Sequence, residues 1–248
     1  MSAAGLERAC PGPAAPLLAL VADVGGPEYH LGDDAMLQAN LDRLRGLVPA
    51  ARLRVLGRAD DELGEATALF LSGGGNLSSS WPDLLAQRIA LIRAATRRGL
   101  PVASGGQTLG PALAEGWEGA LADALAGVAH LGLRELPSLA LARQLGVPDA
   151  ALILQVDDAF LLAGSPPAAE MASVTASTLL ITLDPSTTPA ELRGLALQLA
   201  RFCAEAGLSP AFLPHLGQLG RSDDGDGAVG RALATLLAGE GLDCPVLP

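Results

Sequence analysis

The apolar run from Ala66 to Leu71 leads directly into Ser72-Gly73-Gly74-Gly75-Asn76, and this junction constrains the fold more than any other segment. A short continuous apolar run is of the kind found in strands buried on both faces. Consecutive glycines at its exit let the backbone turn sharply and approach another group, because no Cβ stands in the way. In an open α/β sheet that exit is where ligands bind. Comparable exits recur at Gly32-Asp33-Asp34 and at Gly105-Gly106-Gln107. The three junctions predict loops gathered at one sheet edge, with a helix-like stretch following the loop at Asn76.

The same alternation runs along the rest of the chain. Leu17 to Val24 reads as a first strand, and Asp34 to Leu47 as a helix in which Met36, Leu37, Asn40, Leu41 and Leu44 recur at three and four. Leu53 to Leu56 and Pro101 to Ser104 read as short strands, with a helix from Trp81 to Arg98 closed by Gly99. A helix from Pro111 to Leu125 would carry its proline in the first turn. Val128 to Leu133 and Ala151 to Val156 are further strands, separated by a helix from Leu136 to Leu145. Strands alternating with helices require parallel pairing and right-handed crossovers. Gly164 to Ser177 then reads as a linker, rich in proline, serine and threonine. Beyond it, Thr178 to Leu183, Pro210 to Leu213 and Cys244 to Leu247 read as strands, and Pro189 to Ala206 and Gly227 to Leu237 as helices. The expected organisation is a Rossmann-like α/β domain over residues 1–163, a linker over 164–177 and a short, partial Rossmann-like unit over 178–248.

Composition narrows the chemistry. The formal charge of −11 disfavours nucleic acid, whose phosphates need clustered cations, and also anionic membrane surfaces. All 16 basic residues are arginine. Without lysine there is no P-loop lysine for a nucleoside triphosphate and no amine for a Schiff base. Cys10, Cys203 and Cys244 are far apart and form no Cys-x-x-Cys pair, so neither a zinc site nor a disulfide framework is expected. Glu7 and Asp23 interrupt the features of a signal peptide, and no apolar stretch approaches the ~20 residues of a spanning helix. A cytoplasmic protein with no membrane span is expected.

The candidate residues follow the strand exits. Asp33 and Asp34 open a helix; one caps its N-terminus, and either could accept a sugar hydroxyl or act as a base. Gly73, Gly74, Gly75 and Asn76 offer backbone N–H groups of the kind that hold phosphate or carboxylate oxygens. Gly106 and Gln107 bring further donors and acceptors. Arg134 and Glu135 form either a surface ion pair or, through Arg134, a bidentate anion site. Asp157 and Asp158, paired after a strand, can bind metal, orient a hydroxyl or merely cap, and capping or orienting is expected of one of them. His130 reads as a core residue, His30 and His215 are isolated, and Asp223 to Gly227 reads as a solvated acidic turn. No histidine spacing suggests a metal. Gly-x-Ser-x-Gly and Gly-x-Gly-x-x-Gly are both lacking, which argues against a nucleophile-elbow hydrolase and a dinucleotide enzyme.

In order, Gly32-Asp33-Asp34-Ala35, Ser72-Gly73-Gly74-Gly75-Asn76-Leu77, Gly106-Gln107-Thr108-Leu109-Gly110-Pro111, Leu133-Arg134-Glu135 with Ser138, and Asp157-Asp158-Ala159-Phe160 form a series. The series resembles the polysaccharide pyruvyl transferase family from about Leu17 to Phe160, and more weakly beyond. The resemblance implies a glycosyltransferase-B-like fold of two Rossmann-like units. It also implies transfer of pyruvate from phosphoenolpyruvate to a saccharide as a ketal, with no metal or redox cofactor. Arginines and backbone N–H groups would hold the donor, and loops of the N-terminal unit would contact the sugar. The family's later arginine-x-histidine motif has no counterpart between Thr178 and Pro248. Two alternatives therefore stand beside an active pyruvyl transferase: a sugar-binding remnant without turnover, and a transferase with a nucleotide-sugar donor.

Overall fold

In the computed structural model, which describes residues 15–24, 29–58, 60–110, 113–162, 174–217 and 225–247, the apolar runs become strands and the segments between them helices. The first elements are β1 (Leu17–Val21), β2 (Tyr29–His30), α1 (Leu31–Leu47), β3 (Arg52–Leu56), β4 (Ala68–Leu71), β5 (Gly74–Leu77) and α2 (Pro82–Arg97). Next come β6 (Val102–Ser104), β7 (Gln107–Leu109), α3 (Trp117–Leu125), β8 (Leu131–Leu133), α4 (Leu136–Gln144) and β9 (Leu152–Leu154). The chain closes with β10 (Thr178–Ile181), α5 (Pro189–Ala206), β11 (Ser209–Phe212), β12 (Leu216–Gly217) and α6 (Asp226–Gly239). It divides into two compact units, Met1–Asp23 with Leu37–Phe160, and Val24–Met36 with Leu161–Pro248.

The first unit holds two four-stranded parallel sheets, in the orders β3-β1-β4-β6 and β5-β7-β8-β9. The loop-then-helix expected at Asn76 is instead a break and a new strand. The chain bends at Ser72-Gly73 and again at Gly105-Gly106, and each time regains a parallel partner: Gly74 aligns with Gln107 and Leu77 with Leu109. Pairing is carried across the breaks by the Gly105 N–H donating to the Leu71 carbonyl at 2.8 Å and the Ser104 N–H donating to that of His130 at 2.9 Å. The helix expected from Pro111 starts only at Trp117, behind Gly116 in a left-handed conformation at φ +89°, and Pro111 itself lies outside the described residues. Helix α2 turns Leu85, Ile89, Leu91, Ile92 and Ala95 inward, where they join Val21, Leu71 and Leu131 in one core. Each large apolar side chain so buried contributes about 1.5–3 kcal/mol.

In the second unit β10 and β11 pair in parallel. The strand expected at Cys244–Leu247 is reduced to a single bridge, Phe212 to Val246. Strand β2, which lies within the stretch assigned from sequence to the first domain, pairs antiparallel with β12, His30 opposite Leu216. That pairing groups Val24–Met36 with the C-terminal residues. Helix α5 begins in a reciprocal cap: the Glu191 N–H donates to Thr188 Oγ1 at 3.3 Å, and the Thr188 N–H to Glu191 Oε2 at 2.8 Å. Of the expected linker, residues 164–173 lie outside the described region. No helix among the described residues is long and apolar enough to cross a membrane.

Fully buried Phe212 is the centre of the second core, and it rests on Gly230 of α6. A Cβ added there would lie 2.4 Å from Phe212 Cδ1, with two more ring carbons at 2.7 Å. Gly230→Ala gains ~1 kcal/mol of helix propensity but overpacks a rigid ring, which costs about 1–3 kcal/mol. Denaturant titration is expected to show a net loss of stability. A gain would mean that the ring moves aside freely.

Candidate functional site

The anion held by the glycine breaks is one of the chain's own carboxylates. Asp158 opens a 3₁₀ turn after β9 and is completely buried. Its Oδ2 accepts from the Gly73 N–H at 2.9 Å and from Asn40 Nδ2 at 2.7 Å. Its Oδ1 accepts from the Gly106 N–H at 3.0 Å and from Gln155 Nε2 at 2.9 Å. Four donors on two oxygens satisfy a carboxylate withdrawn from water. The glycines make room for it: a Cβ on Gly73 would lie 2.6 Å from Oδ2, and one on Gly105 only 1.8 Å away.

The remaining glycines of the triplet have different reasons. Gly74 has φ +145°, a conformation that side-chain-bearing residues rarely adopt. A Cβ on Gly75 would meet no atom within 4 Å, so the protein's own packing does not require glycine there. Asn76 is buried on β5. Gln107 is buried on β7, where its Nε2 donates to the Ser72 carbonyl. Asn40 also donates to Ser72 Oγ, at 3.1 Å, so α1, β4, β7 and the turn after β9 meet around Asp158.

Beside this knot lies a charged cluster. Arg134 follows β8, and its Cβ would lie 3.3 Å from a Cβ on Gly106. Its Nε donates to Thr108 Oγ1 at 2.7 Å, its Nη1 pairs with Asp157 Oδ2, and Glu135 Oε2 stands 3.6 Å from Nε. Asp157 Oδ1 also accepts the Ala159 N–H at 2.9 Å, and Glu135 Oε1 accepts from buried Ser138. Arg134 and Asp157 are each about a quarter exposed, so solvent reaches the cluster. One guanidinium here faces two carboxylates just past the ends of adjacent parallel strands.

The structure thus brings Gly73, Gly106, Gln107 and Asp158 together, with Arg134 and Glu135 next to them. Asp33 and Asp34 belong to the second unit, in the first turn of α1. Asp33 Oδ2 stands 3.7 Å from His30 Nδ1. His130, expected in the core, is exposed at a sheet break, although its backbone bridges Ala103. The acidic turn expected at Asp223–Gly227 is not wholly solvated: Asp223 and Asp224 lie outside the described residues, but Asp226 is completely buried. It accepts the His215 N–H at 2.9 Å, and His215 Nδ1 stands 2.7 Å from the same carboxylate. Burial pushes the Cys203 and Cys244 thiols up, which keeps them unreactive. Among the described residues no three His, Cys, Asp or Glu side chains are grouped to hold a metal.

Asn40, Thr108 and Gln155 are the site residues the sequence reading missed. Asn40 carried a signal, a polar residue within an apolar helical stripe. Thr108 stood in the Gly106 to Pro111 series without a role of its own and Gln155 carried no signal, because only the register of β7, β8 and β9 brings them to Arg134 and Asp158.

Comparison with known proteins adds two findings. The family model described as polysaccharide pyruvyl transferase matches residues 30–246, most of the chain. An uncharacterized protein from Klebsiella pneumoniae subsp. pneumoniae NTUH-K2044, of solved structure, is similar over 94% of this chain and 94% of its own, at 13% identity and a TM-score of 0.46. No curated protein matches the chain.

Proposed function

Since the chain belongs to the polysaccharide pyruvyl transferase family, we propose that it moves pyruvate from phosphoenolpyruvate onto two hydroxyls of a saccharide, as a ketal, in the cytoplasmic synthesis of cell-surface glycans. The observation that carries this reading is Arg134, a partly exposed guanidinium held in fixed orientation just past a strand end by Thr108 and Asp157. A planar cation so oriented suits the donor's phosphate and carboxylate, which it can bind through paired hydrogen bonds. Glu135 and Asp157 are then available to acceptor hydroxyls, and Gly75 offers backbone to which a ligand can come close. Asp158 serves the site indirectly, by fixing the two breaks that set the strand ends. The finer architecture proposed is that of the glycosyltransferase-B class. The reaction is a displacement of phosphate at carbon and calls for no redox cofactor and no metal.

Phosphate release from phosphoenolpyruvate, measured with and without an added saccharide, tests the proposal. Release that depends on the saccharide is expected. Turnover with a nucleotide sugar instead would assign another donor. Saccharide binding with no release from either donor would leave a binding protein.

A further inference from the structure

We propose that Asn76 determines acceptor specificity, its amide holding two hydroxyls of one saccharide at once beside the donor anion at Arg134; this rests on the reading above and deepens it. Asn76 is nine-tenths buried on β5. Other buried polar side chains of the first unit, Ser72, Ser78, Ser104, Gln107 and Ser138, each take part in a hydrogen bond within the protein. The Asn76 amide has no such partner among the described residues, and neither its oxygen nor its nitrogen is sealed from solvent. Buried polar groups are nearly always paired, and asparagine is depleted in strands. Neither packing nor strand propensity therefore accounts for an asparagine at this position.

The register of β5 places this residue at the charged cluster. Strands β5 and β7 align at Gly74 with Gln107 and again at Leu77 with Leu109, and the register shifts between the two pairs. Gly75 and Asn76 thus stand together opposite one residue, Thr108. An irregularity of this kind re-aims side chains and is frequent beside active sites. Thr108 Oγ1 is the group that accepts from Arg134 Nε at 2.7 Å, and the Arg134 N–H donates to the neighbouring Gln107 carbonyl at 3.2 Å. Adjacent strands lie about 4.8 Å apart, so the chain at Asn76 is one spacing from Thr108 and two, roughly 10 Å, from the chain at Arg134. The Arg134 side chain spans the second of these spacings, since it ends on Thr108. Gly75 leaves the ground between them open, with no atom within 4 Å of where its Cβ would be. Gly75, Asn76, Thr108 and Arg134 all belong to the first unit.

The chemistry of a ketal sets what the acceptor site must read. One carbon is joined to two hydroxyl oxygens of the same saccharide, so recognition of a single hydroxyl is not enough. A primary amide matches a pair of hydroxyls: Oδ1 accepts from one, Nδ2 donates to the other, and both atoms lie in one plane. The amide is also uncharged, so it leaves the donor's phosphate and carboxylate to the Arg134 guanidinium. The acceptor it selects is a neutral saccharide face carrying two hydroxyls close enough to reach one amide. A saccharide that lacks either hydroxyl leaves one end of the amide unpaired.

The probes are the methyl glycosides of galactose, glucose and mannose, with their monodeoxy forms. With the glycoside that supports phosphate release, Asn76→Ala is expected to raise KM by about 10-fold or more, the loss of two hydrogen bonds. The dissociation constant of phosphoenolpyruvate should stay within twofold. In calorimetric titrations the wild-type chain should bind either monodeoxy form, lacking one of the two hydroxyls found in the ketal, more weakly than the parent. Asn76→Ala should bind all three alike. A folded Asn76→Ala with KM within threefold, or one that still prefers the parent as strongly as the wild type does, would overturn this inference alone and leave the pyruvyl transfer standing. A wild-type chain that releases no phosphate with any of the glycosides would overturn both. If Asn76→Ala does not fold, nitrogen-15 NMR of the wild-type Asn76 side-chain amide decides: a shift on adding the glycoside supports the role, and a resonance unmoved at saturation sinks it.

Discussion

Asp158→Ala is expected to destabilise the chain by about 4 kcal/mol or more, which for a domain with a typical total of 5–15 kcal/mol approaches unfolding. The figure follows from what is left behind. The Gly73 and Gly106 N–H groups and the Asn40 amide lose a buried acceptor, at about 1–3 kcal/mol for each buried group left unpaired, while the Gln155 amide, only half-buried, loses less. Asp158→Asn should cost less but still a good deal, since one of its two terminal atoms becomes a donor facing donors. Gly105→Ala should be severe for the complementary reason, with its Cβ 1.8 Å from the carboxylate. The two effects cannot add. In an Asp158→Ala background the methyl group at position 105 has lost its main obstruction, so Gly105→Ala should cost far less there than in the wild type. Denaturant titration of the two single variants and the double variant measures the coupling. Additive costs would mean that the glycine and the carboxylate are not packed against each other.

The same contact shows what could be read from the sequence. The buried strands were legible because each is a continuous apolar run, and α5 was found to the residue, Pro189–Ala206, because proline opens it and glycine closes it. Gly73 and Gly105 are indeed places where a Cβ would collide, as the clusters suggested, but Gly75 is not. The identity of the approaching group was not readable, because Asp158 lies 85 residues from Gly73 along the chain and arrives only through the order of the strands. Strands β5 and β7 were missed for a related reason: at three or four residues with glycine or polar side chains, they carry no apolar period of their own. They are strands because their neighbours supply parallel partners. Likewise β2 exists only by pairing with β12, which begins 186 residues after His30.

Arg134→Ala is expected to weaken binding of phosphoenolpyruvate by about 10- to 100-fold while leaving a neutral saccharide bound as before. Hydrogen bonds to a charged group contribute about 1.5–3 kcal/mol, and each 1.4 kcal/mol is tenfold in affinity. Asp157 complicates the outcome in an informative way, because it already occupies Nη1. If it only orients the guanidinium, Asp157→Asn should weaken phosphoenolpyruvate slightly, through looser placement. If it competes with the donor, the same change should tighten binding. Orientation is the outcome expected here, since Nε is engaged by Thr108 and the ring of partners leaves the charge on a fixed fork rather than cancelling it at a single point. Arg134→Lys separates charge from shape: it keeps the cation but cannot reach Thr108, Asp157 and a phosphate in one plane, so it should recover only part of the affinity. Calorimetric titration of each variant with phosphoenolpyruvate and with the neutral acceptor decides the matter. Equal losses for both ligands, or none for either, would make Arg134 a brace between strand ends and remove it from donor recognition.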